Sequence, residues 1–396
     1  MLRTLLAFGP LLVVVLMDMQ NLLSWSRSRV LPLADAECDD FTIIVPLYGD
    51  PSYFSERRRI VALKERVLVS AAMDTPAMRT GADELEAEGW RVLRVEVGGA
   101  RSTAPILMQA ALESGEVKTT YAARLDADTV PTPGFERAVE AIRRDGTDLA
   151  SLKCHILEPR TLCERMQAQE YRMAMLSRHF RPRLTSGAGY IGRTEALRQI
   201  FRLHTGVFFS EDVETGRIAW QLRMRIRHVD YEILTAGPPT WPALWRQRTS
   251  WWAGNVHHFW VNFDKNALHM PGWTFYYVAL VWIGLTWKWT TLFQSVEDPR
   301  RGAVFFATMY LLYLAMTYAS NWQVRSRYML LVPPYSLFQA MMMPPVGLVR
   351  WTQFCIAERK MYRYRFGYRR RAPMQPLRLR NETPLAVSAM TAKEAP

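Results

Sequence analysis

Long apolar blocks stand at both ends of the chain, with a stretch of globular composition at about 39–265 between them. That partition limits the fold more than any other feature. From Leu5 to Leu23 the run LLAFGPLLVVVLMDMQNLL is apolar apart from Asp18, Gln20 and Asn21, long enough for a hydrocarbon core roughly 30 Å thick. A signal peptide looks similar, but no small-x-small cleavage site follows and Arg27 and Arg29 lie just beyond. The expectation is therefore a retained anchor whose downstream side is cytoplasmic. Gly272 to Phe293 reads as a second span, with Lys288 near enough to its end to snorkel, and Ala303 to Ser320 as a third, joined to it through QSVEDPRRG as an antiparallel hairpin. The fourth block, Tyr328 to Val349, contains Pro333-Pro334 and Pro344-Pro345. A simple crossing would carry the basic segment after it to the outside, so a proline-broken re-entrant or interfacial hairpin, sheltered by protein, is expected instead. These blocks divide the chain into an anchor and linker (1–38), a cytoplasmic catalytic domain (39–241), an interfacial amphipathic region (242–271), a transmembrane or re-entrant region (272–349) and a basic tail (350–396), disordered from about Ala372.

Within the central stretch, strand-like runs alternate with helical ones. FTIIVPLY (41–48), RVLVSAAM (66–73), RVLRVEV (91–97), YAARLDAD (121–128) and DLASLKCHIL (148–157) carry strand patterns, while 76–89, 103–115, 133–145 and 162–180 carry helical spacing. Such alternation predicts an α/β domain with a mainly parallel sheet and its ligand at the carboxyl ends of the strands.

The chemically suggestive residues fall at those ends. Asp74 follows the second strand, and Asp126-Ala127-Asp128 closes the fourth. A D-x-D beside Pro131 and Pro133 has a plain explanation as a turn; it can also share a hard divalent cation with a diphosphate. Ser210-Glu211-Asp212 opens the helix-like EDVETGRIAWQL. Ser210 could be its N-cap with the acids as dipole partners, or an acid there could accept a proton from an incoming hydroxyl. The segment at 242–263, PALWRQRTSWWAGNVHHFWVNF, suits a helix in a membrane interface, and Trp251 and Trp252 offer flat apolar faces on it.

Charge narrows the partners. Fifty basic residues against 37 acidic leave +13, and residues 350–371 alone hold eight basic residues and one acid. With no nucleic-acid module accompanying them, anionic headgroups are the simpler partner and nucleic acid is not expected. Neither the four cysteines (Cys38, Cys154, Cys163, Cys355) nor the histidines have metal-ligand or disulfide-framework spacing.

Taken in order, VPLYGD, Asp74, Asp126-x-Asp128, Ser210-Glu211-Asp212 and Gln247-Arg248-x-x-Trp251 resemble the membrane-embedded family 2 glycosyltransferases, among them the hyaluronan, chitin and cellulose synthases. The resemblance implies a GT-A fold, a Rossmann-like mixed sheet, with flanking transmembrane and interfacial helices. It further implies inverting transfer from a nucleotide-sugar, usually a UDP-sugar, with Mg²⁺ or Mn²⁺. Asp74 would lie by the uracil, Asp126 and Asp128 would hold metal and diphosphate, and Asp212 would be the general base. Arg101 and Arg248 would join the donor contacts, and Glu211, Gln247, Trp251 and Trp252 the acceptor contacts. Two departures stand out: Ser250 occupies the place of the family's arginine before the tryptophan, and GGARSTA (98–104) is less basic than in relatives. Arg246 or Arg248 could substitute, although an offset of two residues turns a side chain about 200° around a helix. Ser186-Gly187-Ala188-Gly189 resembles the acceptor-side loop or is a flexible turn. The function expected on this basis is polysaccharide synthesis at the cytoplasmic face of the cell membrane. Single-sugar transfer to a lipid acceptor is the alternative and a non-catalytic scaffold the third possibility. So few spans would call for a homo-oligomer if one chain type also exported a polymer.

Overall fold

The computed structural model describes residues 30–97, 104–180, 185–204, 210–261, 277–321 and 326–357, with isolated positions between them and Arg378–Leu379 beyond. The expected anchor at 5–23, Arg101 and most of the basic tail lie outside the described residues.

One mixed sheet organises the molecule. Its strands are β1 (Val30–Leu31), β2 (Phe41–Leu47), β3 (Val67–Ala72), β4 (Arg91–Glu96), β5 (Tyr121–Leu125), β6 (Thr129–Pro131), β7 (Leu149–Ile156), β8 (Gly189–Arg193), β9 (Ile226–Thr235) and β10 (Arg378–Leu379). They lie in the order β1-β9-β7-β8-β5-β2-β3-β4-β10, and β6 pairs with β9 off that path. Helices α1 (Pro76–Ala87), α2 (Ala104–Glu113), α3 (Phe135–Asp145), α4 (Leu162–Phe180), α5 (Thr194–Leu203) and α6 (Glu211–Gln221) connect the strands. Every residue of β2, β3 and β5 is buried, as expected of strands covered by helices on both faces, which read as continuous apolar runs.

The expected parallel pairing holds for β5, β2, β3 and β4. The sheet departs from it at β8, which runs antiparallel to both β5 and β7. GYIGR lacks an apolar run because glycine is sterically required: a Cβ on Gly189 would lie 2.7 Å from Ile233 Cδ1, and one on Gly192 would lie 2.9 Å from the Asp148 carbonyl oxygen. β9 carries Asp230 and Glu232 on its exposed side, which breaks its apolar signature. In the tail, expected to be disordered, Arg378 and Leu379 pair antiparallel with Glu96 and Val95 at the sheet edge.

The carboxyl-terminal part is helical: α7 (Trp241–Val261), α8 (Gly284–Glu297), α9 (Pro299–Ser320) and α10 (Val332–Ala357). Among the described residues one stretch, Pro299–Ala319, is long and apolar enough to cross a membrane. The expected QSVEDPRRG loop is helical except at Asp298, whose carboxylate caps α9 by accepting from Arg301 N at 3.2 Å. A larger correction concerns the proline-rich block. After a 3-10 turn at Arg327–Leu331 it is a single helix, α10, containing Pro344 and Pro345, and not a broken hairpin. Pro333 and Pro334 fall in its first turn, where no N–H is needed. Pro345 cannot donate to the Met341 carbonyl one turn back, and that carbonyl instead accepts the indole N–H of Trp289 at 3.2 Å. The helix continues because a neighbour restores one lost hydrogen bond.

Where α10 crosses α7, Gly347 allows close approach: a Cβ there would lie 2.6 Å from Trp252 Cβ and 2.9 Å from its backbone carbon. Gly347→Val is expected to push these helices apart and cost about 1–3 kcal/mol. The check is the midpoint of thermal unfolding in detergent, and an unchanged midpoint would mean that the crossing tolerates bulk.

Candidate active site

Four carboxylates reach the carboxyl ends of the strands by different routes. β5 ends at Leu125, paired with Gly189 of β8, and the Asp126 N–H then donates to the Ala188 carbonyl at 3.0 Å. The chain turns back as Thr129 N donates to the Asp126 carbonyl at 2.9 Å. Asp128 Oδ1 accepts from the Thr235 hydroxyl at 3.2 Å and from Thr129 Oγ1 at 3.4 Å. From the other side, α6 begins with Glu211 and Asp212. Gly187 faces Asp212 so closely that a Cβ there would lie 3.5 Å from its Cγ and Oδ2. Thr185 fixes the same turn by donating to the Asp212 carbonyl oxygen at 2.6 Å. The 186–189 stretch is thus the spacer between the two acidic motifs: Ala188 holds Asp126, and Gly187 leaves room beside Asp212.

Ser210 does not cap α6 with its side chain. It sits at φ 48°, in the left-handed region, without a capping bond. Its hydroxyl donates instead to the Trp251 carbonyl oxygen at 3.1 Å, which ties the start of α6 to α7.

A residue missed from sequence joins the cluster. Arg124, 3% exposed, donates from Nη2 to Asp126 Oδ1 at 2.6 Å and to Glu211 Oε1 at 2.8 Å. Its guanidinium lies 5.8 Å from the Tyr190 ring centre. The signal was present: in YAARLDAD the two-residue period of a strand puts Arg124 and Asp126 on one face, and an arginine inside an apolar run needs a partner.

The electrostatics follow from this crowding. Desolvation raises the pKa of Asp126 above the usual carboxylate range; Arg124 opposes the rise, while Asp128 and Glu211 add to it. Desolvation likewise raises Asp128, against the pull of the Thr235 and Thr129 hydroxyls. Tyr48, just past β2, is held as a neutral phenol first by burial and then by Glu211 and Asp126. Negative charge therefore exceeds what Arg124 balances, and a divalent cation would relieve the excess. The donor set fits Mg²⁺ or Mn²⁺: hard carboxylate oxygens, with one oxygen of Asp126 on Arg124 and one of Asp128 on the threonines. Among the described residues no group of three or more His, Cys, Asp or Glu forms a metal cage. Two protein carboxylates suit an ion that takes its other ligands from phosphate oxygens and water.

The remaining predicted residues divide. Asp74 is exposed just beyond β3, at the same end of the sheet but across β2 from Asp126, roughly 10 Å away at ordinary strand spacing. Trp251 is 39% exposed and lies over Arg248, whose Cζ is 4.2 Å from the ring centre. Trp252 packs instead against Gly347 and the cluster of Phe259, Tyr277 and Val281. Arg248, 3% exposed, is committed to Glu170 of α4 at 2.7 Å and to Gln247 Oε1 at 2.7 Å. Tyr335 of α10 donates to the same Glu170 oxygen at 3.1 Å. Ser250 Oγ donates to the Arg246 carbonyl one turn back at 2.9 Å. The exposed Arg246 therefore shares the helix face of Ser250, and the buried Arg248 does not. A cavity of about 460 Å³ lies at the opposite end of the sheet, between Asp40, Thr120 and Arg143, and takes no part in this site.

The model of glycosyl transferase family group 2 matches residues 123–343. Among solved structures, a mannosyltransferase from Pyrobaculum calidifontis, in complex with GDP-Man and Mn²⁺, is 15% identical; the match covers 85% of this chain and 96% of that one with a TM-score of 0.53. Glucosyl-3-phosphoglycerate synthase from Mycobacterium tuberculosis is 15% identical over 55% of this chain and 80% of that one, with a TM-score of 0.36. Mannosyl-3-phosphoglycerate synthase from Rubrobacter xylanophilus is 16% identical over 57% and 74%, with a TM-score of 0.35. No curated protein matches the chain. The first of these likenesses is one of fold, a GT-A-like mixed α/β sheet.

Glu170→Gln would leave the Arg248 guanidinium buried beside Trp251 without its counter-charge. The expected loss is about 3 kcal/mol, the lower end for breaking a buried pair, because Glu170 keeps 22% of its side chain in solvent. Chemical or thermal unfolding reads it, and a loss within error would show that water takes over the role of Glu170.

Proposed function

The chain belongs to glycosyl transferase family group 2, and on that premise we propose that it moves a sugar from a nucleotide-sugar donor, a UDP-sugar foremost, to a growing polysaccharide at the cytoplasmic face of the cell membrane. One observation carries the reading. The motifs at Asp126–Asp128 and Glu211–Asp212 meet at the carboxyl end of the sheet, joined by Arg124 and spaced by Gly187.

The chemistry asks for this arrangement. An acceptor hydroxyl attacks the anomeric carbon, the bond from that carbon to the diphosphate breaks with its electron pair on phosphate oxygen, and the configuration inverts. Asp212 takes the hydroxyl proton as general base. Asp126 and Asp128 hold the diphosphate end of the donor through Mg²⁺ or Mn²⁺, which when bound supplies positive charge for the developing phosphate anion. Asp74 orients the nucleobase, and the exposed face of Trp251 receives the acceptor sugar. Arg246, on the Ser250 face of α7, is the arginine available to the phosphates, since Arg248 is held by Glu170.

Membrane attachment rests on the helices after Gly284. Leu311 (62%), Phe338 (49%) and Val349 (56%) expose apolar surface along α9 and α10, which lipid would cover. The same surface supports a second reading, single-sugar transfer to a lipid acceptor. Trp245 of α7 meets Phe338 of α10, with ring centres 6.1 Å apart, so this apolar surface reaches the helix that carries Trp251. Incubation of purified protein with labelled nucleotide-sugars separates the two: high-molecular-weight label supports the polymer, and one small species in the organic phase supports the lipid acceptor.

Asp212→Asn is expected to lower transfer about 10²–10⁴-fold while leaving nucleotide binding nearly intact, as judged by calorimetry. Full activity of that variant would remove the base assignment. Asp126→Ala and Asp128→Ala are expected to weaken metal-dependent donor binding about 10-fold or more, measured by donor titration with and without Mn²⁺; equal affinity in the two conditions would sink the metal role.

A further inference from the structure

Between the donor-side and acceptor-side carboxylates lies a hidden cation whose two partners belong to the two different acidic motifs. Arg124 is 3% exposed, yet its partners stay open: Asp126 keeps 38% of its side chain in solvent and Glu211 17%. Here the cation is behind and the carboxylates face the cleft. The hydrogen bonding is also one-sided. Arginine usually meets a carboxylate through two parallel N–H bonds, whereas one nitrogen, Nη2, serves both Asp126 and Glu211, and Nε is buried without a partner. The arrangement spends the hydrogen-bonding capacity of the guanidinium in order to span two carboxylates from different motifs.

We propose that Arg124 is a positioning residue that fixes Asp126 of the D-x-D turn and Glu211 of the α6 start in register, so that donor and acceptor are held at one distance. The proposal rests on the glycosyltransferase reading of the site. Without the bridge, two carboxylates would face each other at the end of β5 and swing apart, and Asp126 would no longer present its second oxygen toward the metal and diphosphate. Because one nitrogen makes both bonds, a lysine reaching the same point could replace it, and a neutral side chain of similar length could not.

The test uses the full-length protein in detergent and three variants: Arg124→Met, Arg124→Lys and Arg124→Met/Glu211→Gln. Mn²⁺ alone is titrated and free ion is followed by electron paramagnetic resonance, so that no donor or turnover is needed. Arg124→Met is expected to weaken Mn²⁺ binding about 10–100-fold, as loss of a residue that orients a ligand does, and Arg124→Lys to bring it back to within about 3-fold of the parent. The thermal midpoint should fall in Arg124→Met, and the added Glu211→Gln should recover more than half of the fall by removing one of the two facing charges. Mn²⁺ binding that is unchanged or tighter in a folded Arg124→Met protein overturns the proposal, as does a lysine variant no better than the methionine one. Should Arg124→Met fail to fold, the lysine variant and the double variant decide alone. The midpoint cycle involves no metal, so it judges Arg124 even if the parent binds no Mn²⁺, a result that would count against the metal reading of Asp126 and Asp128 instead.

Discussion

Negative charge gathered at one end of a sheet is the constraint around which this molecule is arranged. Asp126, Asp128, Glu211 and Asp212 come from two motifs far apart in the chain, and carboxylates gathered in one place repel one another. The fold answers with a cation from inside the sheet, Arg124, and with hydroxyls from Thr129 and Thr235. What the protein leaves uncompensated is the binding potential of the site. A cleft that is electrostatically satisfied in its empty state would have little reason to bind a metal and a diphosphate; this one is held short of neutrality.

How much of this could be read from sequence depends on whether the signal was local. The buried parallel strands announced themselves as apolar runs, and the acidic motifs fell at strand ends as the α/β pattern predicts. β8 did not, because its glycines answer to Ile233 and the Asp148 carbonyl, neighbours that only the folded sheet supplies. Arg124 was visible but unread: a charge in a strand shows that a partner exists, and cannot say that the partners are two carboxylates in different motifs. Arg248 illustrates the reverse case. Its position in the tryptophan motif pointed toward the donor, and burial against Glu170 gives it another occupation. The proline block misled because local rules predict a break, and the repair comes from an indole on another helix.

The apolar helices and the catalytic sheet are joined by specific contacts. Glu170 gathers Arg248 of α7 and Tyr335 of α10, while Arg165 of the same α4 reaches the Tyr328 hydroxyl at 3.2 Å. Arg350 of α10 donates to Thr249 Oγ1 at 2.8 Å, one residue from Ser250. The face of α7 that carries Trp251 is therefore set by packing on both sides, and its orientation to the acidic cluster depends on helices whose sequence has no chemistry of its own.

The placement of β8 and β9 has a consequence for how the chain acquires its shape. Both belong to the interior of the sheet, yet they come from residues 189–193 and 226–235. β5 and β7 therefore have an empty slot between them until β8 arrives, and β1 has no pairing strand until β9 does. Non-local pairings of this kind form late and slowly. During synthesis the interior of the sheet remains unfilled until Thr235 has emerged, a few residues before α7 begins at Trp241 and well before the apolar helices from Gly284 onward. The sheet interior is thus completed just as α7 emerges and ahead of α8 to α10, a vectorial timing in which the helix that carries Trp251 meets a filled sheet before the apolar helices that later fix its other side.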